Sequence, residues 1–288
     1  MRALITRFVA FLLSLFRARR NADWDTEGPP NKELPPAPFS KVLDSSYGVA
    51  NEPQPVLSRL VSPSPIWEAG WWVRATRRPA HPGRVGGIIV PKAVVVHTTD
   101  MHPDQFGGLV KAWTERKGAG NCAHFLIGRT ADKGVIQFMP IVRNGNHAGG
   151  SNGHGWFKSA SGRMHPNAIS VGIELEAAGK LKWNGTRWIH PDTGKAIPFD
   201  EVFRLGKQGF QTITPYQVEQ LKDLVLALKA CLLPLPAGTE VVPFGSYAEN
   251  GVASWARAAS PVVVGHVTLD PTNKTDPGPQ GMDIVRGL

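Results

Sequence analysis

GIIVPKAVVVH, residues 87–97, is a β-branched and apolar run that opens on a glycine and closes on a histidine. That composition, bounded by turn formers, predicts a strand. Four further runs of the same kind follow: AHFLIGR (123–129), GVIQFMP (134–140), SVGIELEA (170–177) and PVVVGH (261–266). A helix over 104–117 is expected between the first two, and a longer amphipathic helix over Thr214–Leu233 precedes the last. The longer helix has Thr214 at its N-cap and Pro215 at its first position, with Leu221, Leu224, Val225 and Leu228 as its buried stripe. Strands interleaved with helices indicate an α/β (α+β) domain, a mixed central β-sheet flanked by helices. Residues 178–213, with the turns WNGTRW and HPDTGK, read as an inserted hairpin and loop.

Outside this region the chain changes character. The start, MRALITRFVAFLLSLFRARR, places Leu4, Ile5, Phe8, Phe11, Leu12, Leu15 and Phe16 on one helical face and Arg2, Thr6, Arg7, Ser14 and Arg17 on the other. Its apolar run is shorter than the roughly 20 residues that span a bilayer. Residues 1–20 are therefore a basic amphipathic helix that lies on an anionic membrane surface, begins an export signal, or docks on the domain. Arg7 and the RARR at 17–20 stand against the export signal, because a small-residue cleavage site is expected there. Residues 21–66 are rich in Pro, Ser, Asn and Asp and read as an extended linker, which leaves 67–288 as the folded domain.

Thirty-two Lys and Arg against 23 Asp and Glu give a net charge of +9, so an anionic partner is expected. The basic residues are scattered and no nucleic-acid-reading motif occurs, so nucleic acid is not expected, and an anionic membrane face or a wall polymer accounts for the charge equally well. Two cysteines, Cys122 and Cys231, exclude a disulfide framework and a CxxC metal cluster. Any bound metal must be held by histidine and carboxylate.

Two histidines end apolar runs, His97 after VVV and His266 after VVVG, at the rim of a sheet where loops build sites. Asp276 follows His266 by ten residues, across a loop holding Pro271 and closed by Pro277. Two imidazoles, one carboxylate and an open fourth position make a catalytic zinc arrangement, in which the ion lowers the pKa of its water toward about 7.

The order of VVVHTT, AHFLIGRTADKGVIQFMP, NHAGG, NAISVGIELEA and VVGHVTLDPTNKTDPGP across residues 93–279 resembles the zinc-dependent N-acetylmuramoyl-L-alanine amidases of the type 2 class. Phage amidase-type lysozymes and peptidoglycan recognition proteins are relatives of that family. The resemblance implies a zinc-floored groove that binds peptidoglycan, with His97, His266 and Asp276 as the Zn2+ ligands. It implies Lys274, two residues before the third ligand, as the stabiliser of the oxyanion. It implies Glu174 as the general acid/base, with Glu176 on the same strand face as the alternative. His147, with Asn146 beside it, corresponds to a groove histidine that contacts substrate. The family's tyrosine before the histidine of the second strand is absent, since Ala123 stands there.

The implied activity is hydrolysis of the amide between N-acetylmuramic acid and L-alanine in peptidoglycan. The alternatives are a non-catalytic peptidoglycan-binding module and an amidase of soluble anhydro-muropeptides. The expected location is the bacterial envelope, periplasmic or secreted, with membrane association through residues 1–20.

Overall fold

In the computed structural model of the chain, which describes residues 66–116, 120–149, 155–244 and 253–288, the 87–97 run is divided. Val85–Ile88 pairs with Arg143–Gly145 in a separate two-stranded ribbon, and the central strand begins only at Ala93. The break falls at Pro91, which has no N–H to give to a ladder, and the next N–H, on Lys92, goes to Ile169 O at 2.7 Å. The expected N-terminal helix and nearly all of the linker lie outside the described residues.

The central sheet contains β1 (Thr76–Arg77), β2 (Ala93–Thr98), β3 (Phe125–Ile127), β4 (Val135–Gln137), β5 (Ser170–Leu175) and, after the insertion, β10 (Val263–Gly265). Its order is β10-β2-β5-β3-β4-β1. The pairs β10–β2, β2–β5, β5–β3 and β4–β1 are parallel and β3–β4 is antiparallel, so the sheet is mixed, as expected.

The helices are α1 (Phe106–Glu115), α2 (Pro166–Ile169), α3 (Pro215–Lys229), α4 (His266–Leu269) and α5 (Gly278–Arg286). The Thr214 side chain accepts from Gln217 N and the Gln217 side chain answers to Thr214 N, a reciprocal cap on α3.

Alternate strand residues go to opposite cores. Val94, Val96, Val171, Ile173, Leu175, Phe125 and Ile127 pack against Leu221, Leu224, Val225 and Leu228 of α3 and against Met282 and Val285 of α5. On the other face Ala93, Val95 and Val264 meet Ala148, Phe157, Ile169 and Leu269. Burial on both faces explains why the strands read as continuous apolar runs rather than alternating ones. Leu224, fully buried under the sheet, is expected to cost about 2–5 kcal/mol when replaced by alanine. Denaturant unfolding measures it, and a cost within 0.5 kcal/mol of zero would show that α3 is not part of the core.

The insertion is more than the expected hairpin and loop. It forms a four-stranded antiparallel sheet from β6 (Lys180–Trp183), β7 (Trp188–Ile189), β8 (Val202–Leu205) and β9 (Gln208–Gln211), in the order β7-β6-β9-β8. Ala178, Leu181, Trp188 and Ile197 give it a small core of its own. Its strands are two to four residues long, too short for a period of two to stand out in sequence.

Candidate metal centre

Sheet register assembles the site. Gly265 pairs with Val96, so the next residue, His266, arrives beside His97, while Glu174 pairs with His97 from the opposite side. His266 does not end the strand as expected but opens α4. Gly265 is required there because a Cβ would lie 2.3 Å from Met282 Sδ and 2.7 Å from Pro277 Cδ. The loop then folds back: Asn273 N donates to Asp270 Oδ1, Lys274 N donates to Asp270 O, and Val267 N donates to Asp276 O at 2.8 Å. Asp276 is thereby carried to the two histidines.

His97 Nδ1, His266 Nδ1 and Asp276 Oδ2 form a nearly equilateral triangle with edges of 3.0, 3.2 and 3.3 Å. All three residues are buried. Ligands about 2.0–2.1 Å from a tetrahedral zinc stand about 3.3–3.4 Å apart, so the triangle is of the size such an ion needs. Asp276 Oδ1 is buried without a hydrogen-bond partner among the described residues, which a cation beside the same carboxylate accounts for, while His266 Nε2, also unpartnered there, lies on the far side of its ring from the triangle. Burial, and then the charge of His266, pulls His97 down to about 4, so its ring is neutral and can offer a lone pair. Burial works against ionisation of Asp276, yet the neighbouring His266, by charge and by hydrogen bond, overcomes it and holds the carboxyl well below the usual range. Neutral imidazole and ionised carboxylate are the forms that bind metal.

His147 is corrected by the structure. It does not open onto a groove but is 5% exposed and packs beneath His97. Its Nε2 faces Ser170 O at 3.3 Å, and the Ser170 hydroxyl is already donating to Pro166 O. A carbonyl only accepts, so His147 Nε2 carries the proton and its Nδ1 is an acceptor. His97 Nε2, 3.1 Å from that Nδ1, must then donate. The result is a bare His97 Nδ1 aimed at the triangle, with ring and tautomer set from outside the ligand shell. The ring occupies the space left by Gly172, where a Cβ would come within 2.4 Å of it. His147→Ala is expected to weaken metal affinity about 10–100-fold, as read by competition with a chromogenic chelator. Unchanged affinity would remove His147 from this role.

Around the triangle stand the proposed working groups. Glu174 keeps a partial opening to solvent, but its Oε2 is shut off without a hydrogen-bond partner. Desolvation first, then the charges of Asp276 and Asp100, raise its carboxyl well above the usual range, with Lys274 opposing. A cation at the triangle would draw it back down. Lys274 is half-buried, and its charge is felt by His97 and Glu174.

The alternative acid/base, Glu176, is excluded by its partners. Its carboxylate is taken by Lys133 Nζ and by Arg129 N at 2.8 Å. Asn146 is exposed and accepts from Asn167 Nδ2 at 3.0 Å, so it remains at the surface where substrate can reach it. His124 accepts from Gly172 N and donates to Arg143 O, a satisfied core residue. Cys122 is buried, its thiol pushed up to about 12 chiefly by desolvation, and takes no part in the triangle.

Asp100, three residues past His97, was not singled out in the sequence. It adopts φ 50°, unusual for a residue with a Cβ. It is exposed as a residue, but its carboxyl is enclosed on one side, where Oδ1 accepts from Thr98 Oγ1 at 3.0 Å and lies against Gly179. Desolvation on the packed side and the Asp276 charge push it up to about 7.

Comparison with known proteins gives the following. The curated 1,6-anhydro-N-acetylmuramyl-L-alanine amidase AmpD of Salmonella typhimurium (strain SL1344) is 29% identical over 139 residues, 42% of this chain and 68% of the relative. AmpD of Escherichia coli (strain K12) is 28% identical over 141 residues, 43% of this chain and 70% of the relative. Among solved structures, the amidase AmiD from E. coli in complex with anhydro-N-acetylmuramic acid-L-Ala-D-gamma-Glu-L-Lys aligns with a TM-score of 0.42 and 20% identity, over 70% of this chain and 59% of that one. A selenomethionine AmpD derivative aligns with a TM-score of 0.36 and 22% identity, over 73% and 91%. The sequence pattern of the N-acetylmuramoyl-L-alanine amidases covers residues 89–279, a span that takes in both strand-end histidines, the returning loop and the insertion between them. The chain belongs to the N-acetylmuramoyl-L-alanine amidase family.

Proposed function

We propose that this amidase hydrolyses the bond between N-acetylmuramic acid and L-alanine with a zinc ion held by His97, His266 and Asp276, with Glu174 as acid/base and Lys274 beside the reacting carbonyl. The observation that carries the reading is the triangle of ligand atoms at 3.0–3.3 Å with Glu174 paired in register to His97. Zinc bound there would make a water acidic near neutral pH and polarise the scissile carbonyl.

The chain's own residues supply the rest. Glu174 takes the proton of the attacking water. It later gives that proton to the alanine nitrogen, which leaves as a neutral amine. Lys274 offers a cation where negative charge develops on the carbonyl oxygen. His147 holds His97 in the tautomer and orientation that keep the site assembled. Three intact ligand positions and the adjacent glutamate speak against a module that only binds.

The AmpD relatives are named for 1,6-anhydro-muramyl substrates, which supports soluble muropeptides as substrates here. The basic amphipathic start and Pro-rich spacer support action at the envelope on the intact wall as well. Mass spectrometry of products from soluble anhydro-muropeptide and from purified sacculi tests this. Released peptides beginning at L-alanine are expected, and muropeptide left intact would overturn the reading.

A further inference from the structure

The small sheet of the insertion buries Leu181 and Trp188 inward but leaves two large rings outside. Trp183 is 43% and Phe199 63% exposed, their centroids 5.9 Å apart, and Trp183 leans on the buried Trp188 at 5.3 Å. Adjacent exposed aromatics backed by a rigid partner mark a contact surface rather than chance exposure. The flanking charges are basic. Lys182 precedes Trp183 and Arg187 precedes its cross-strand partner Trp188, so by strand alternation both belong to the reverse of the ring-bearing face, at the edge of the hairpin, where they are exposed and without an ion pair among the described residues. Across residues 180–211 there are six Lys and Arg against three Asp and Glu, a balance of +3.

The sheet is fixed to the rim of the catalytic cleft. His190, 2% exposed, donates through Nε2 to Asp100 O at 2.9 Å, and Lys195 pairs with Asp104 at 2.8 Å. Trp183 ends the strand that leaves the catalytic strand β5 by way of residues 176–179. Trp183 and Glu174, which pairs in register with His97, are therefore carried by one continuous segment.

From this placement we infer that the Trp183–Phe199 face is a docking surface for the glycan-peptide strand of the wall, which it holds while the neighbouring cleft cuts. The inference rests on the reading of the chain as a muramyl-peptide amidase. Sugar rings present flat C–H faces that pack on aromatic rings, and the carboxylates of stem peptides suit the basic balance of the insertion and the Lys182 and Arg187 edge that borders the rings. A short soluble muropeptide engages the cleft alone and needs none of this face.

The test uses the full chain. In a Glu174→Gln background, so that the polymer survives, cosedimentation with purified sacculi is compared for Trp183→Ala/Phe199→Ala and for Lys182→Glu. The double variant should bind sacculi roughly tenfold more weakly, and Lys182→Glu should weaken binding in the same direction and flatten its salt dependence. With Glu174 restored, both should cleave soluble anhydro-muropeptide within about twofold of the parent rate. Unchanged sacculus binding overturns the surface, as does an equal loss on the soluble substrate. Loss of binding to anionic phospholipid vesicles with sacculus binding intact also overturns it. Failure of the parent chain to cleave soluble muropeptide is a separate result and would count against the proposed function.

Discussion

Replacing Glu174 with glutamine is expected to lower kcat by about 10²–10⁴-fold while leaving the metal bound. The side chain keeps its length, so the wall of the cleft is preserved, but an amide can neither take a proton from water nor return one to the alanine nitrogen. KM should change little, because the loss falls on a group that acts in the transition state. Glu174 pairs with His97 across the β2–β5 register, yet its carboxyl makes no hydrogen bond that a glutamine would break. Single-turnover cleavage with metal analysis of the same sample separates the two effects. A variant with full turnover would remove Glu174 from the mechanism, and one that lost its metal would recast it as a structural group.

Replacing Asp276 with alanine should act at a different point. Removing the one carboxylate ligand leaves two imidazoles 3.0 Å apart, which hold a divalent ion far less firmly. Affinity should fall by more than the roughly 10–100-fold that loss of an outer partner costs, and cleavage should disappear with it. Excess zinc should restore part of the activity to Asp276→Ala and none to Glu174→Gln. Equal behaviour of the two variants would mean that their roles have been wrongly divided. The backbone of the loop is expected to persist, since Val267 N bonds Asp276 O rather than its side chain.

The ligand trio was legible because chemistry and position coincided in sequence: a histidine closing each of two apolar runs and an aspartate after a loop short enough to return. The central strands were legible because burial on both faces turns them into unbroken apolar runs. Side-chain direction was not. Glu174 and Glu176 share a parity, and only the Lys133 and Arg129 partners, contributed by another part of the sheet, show that Glu176 is already committed.

His147 belongs to the same class of difficulty. A histidine in a Gly-rich stretch gives no sign that its ring will turn inward against Gly172. The insertion was under-read because its strands are brief and its core is four residues, so tertiary packing rather than pattern defines it. Asp100 carried no signal in spacing, and its backbone carbonyl is met by His190, which arrives from the distant insertion.

Metal content and cleavage measured on one preparation, before stripping, after stripping with a chelator and after adding zinc back, bear most directly on the central claim. One zinc per chain, loss of muropeptide cleavage on stripping and recovery on readdition are the predicted results. Cleavage that continues undiminished in the stripped protein would contradict the assignment of His97, His266 and Asp276 as the catalytic metal site.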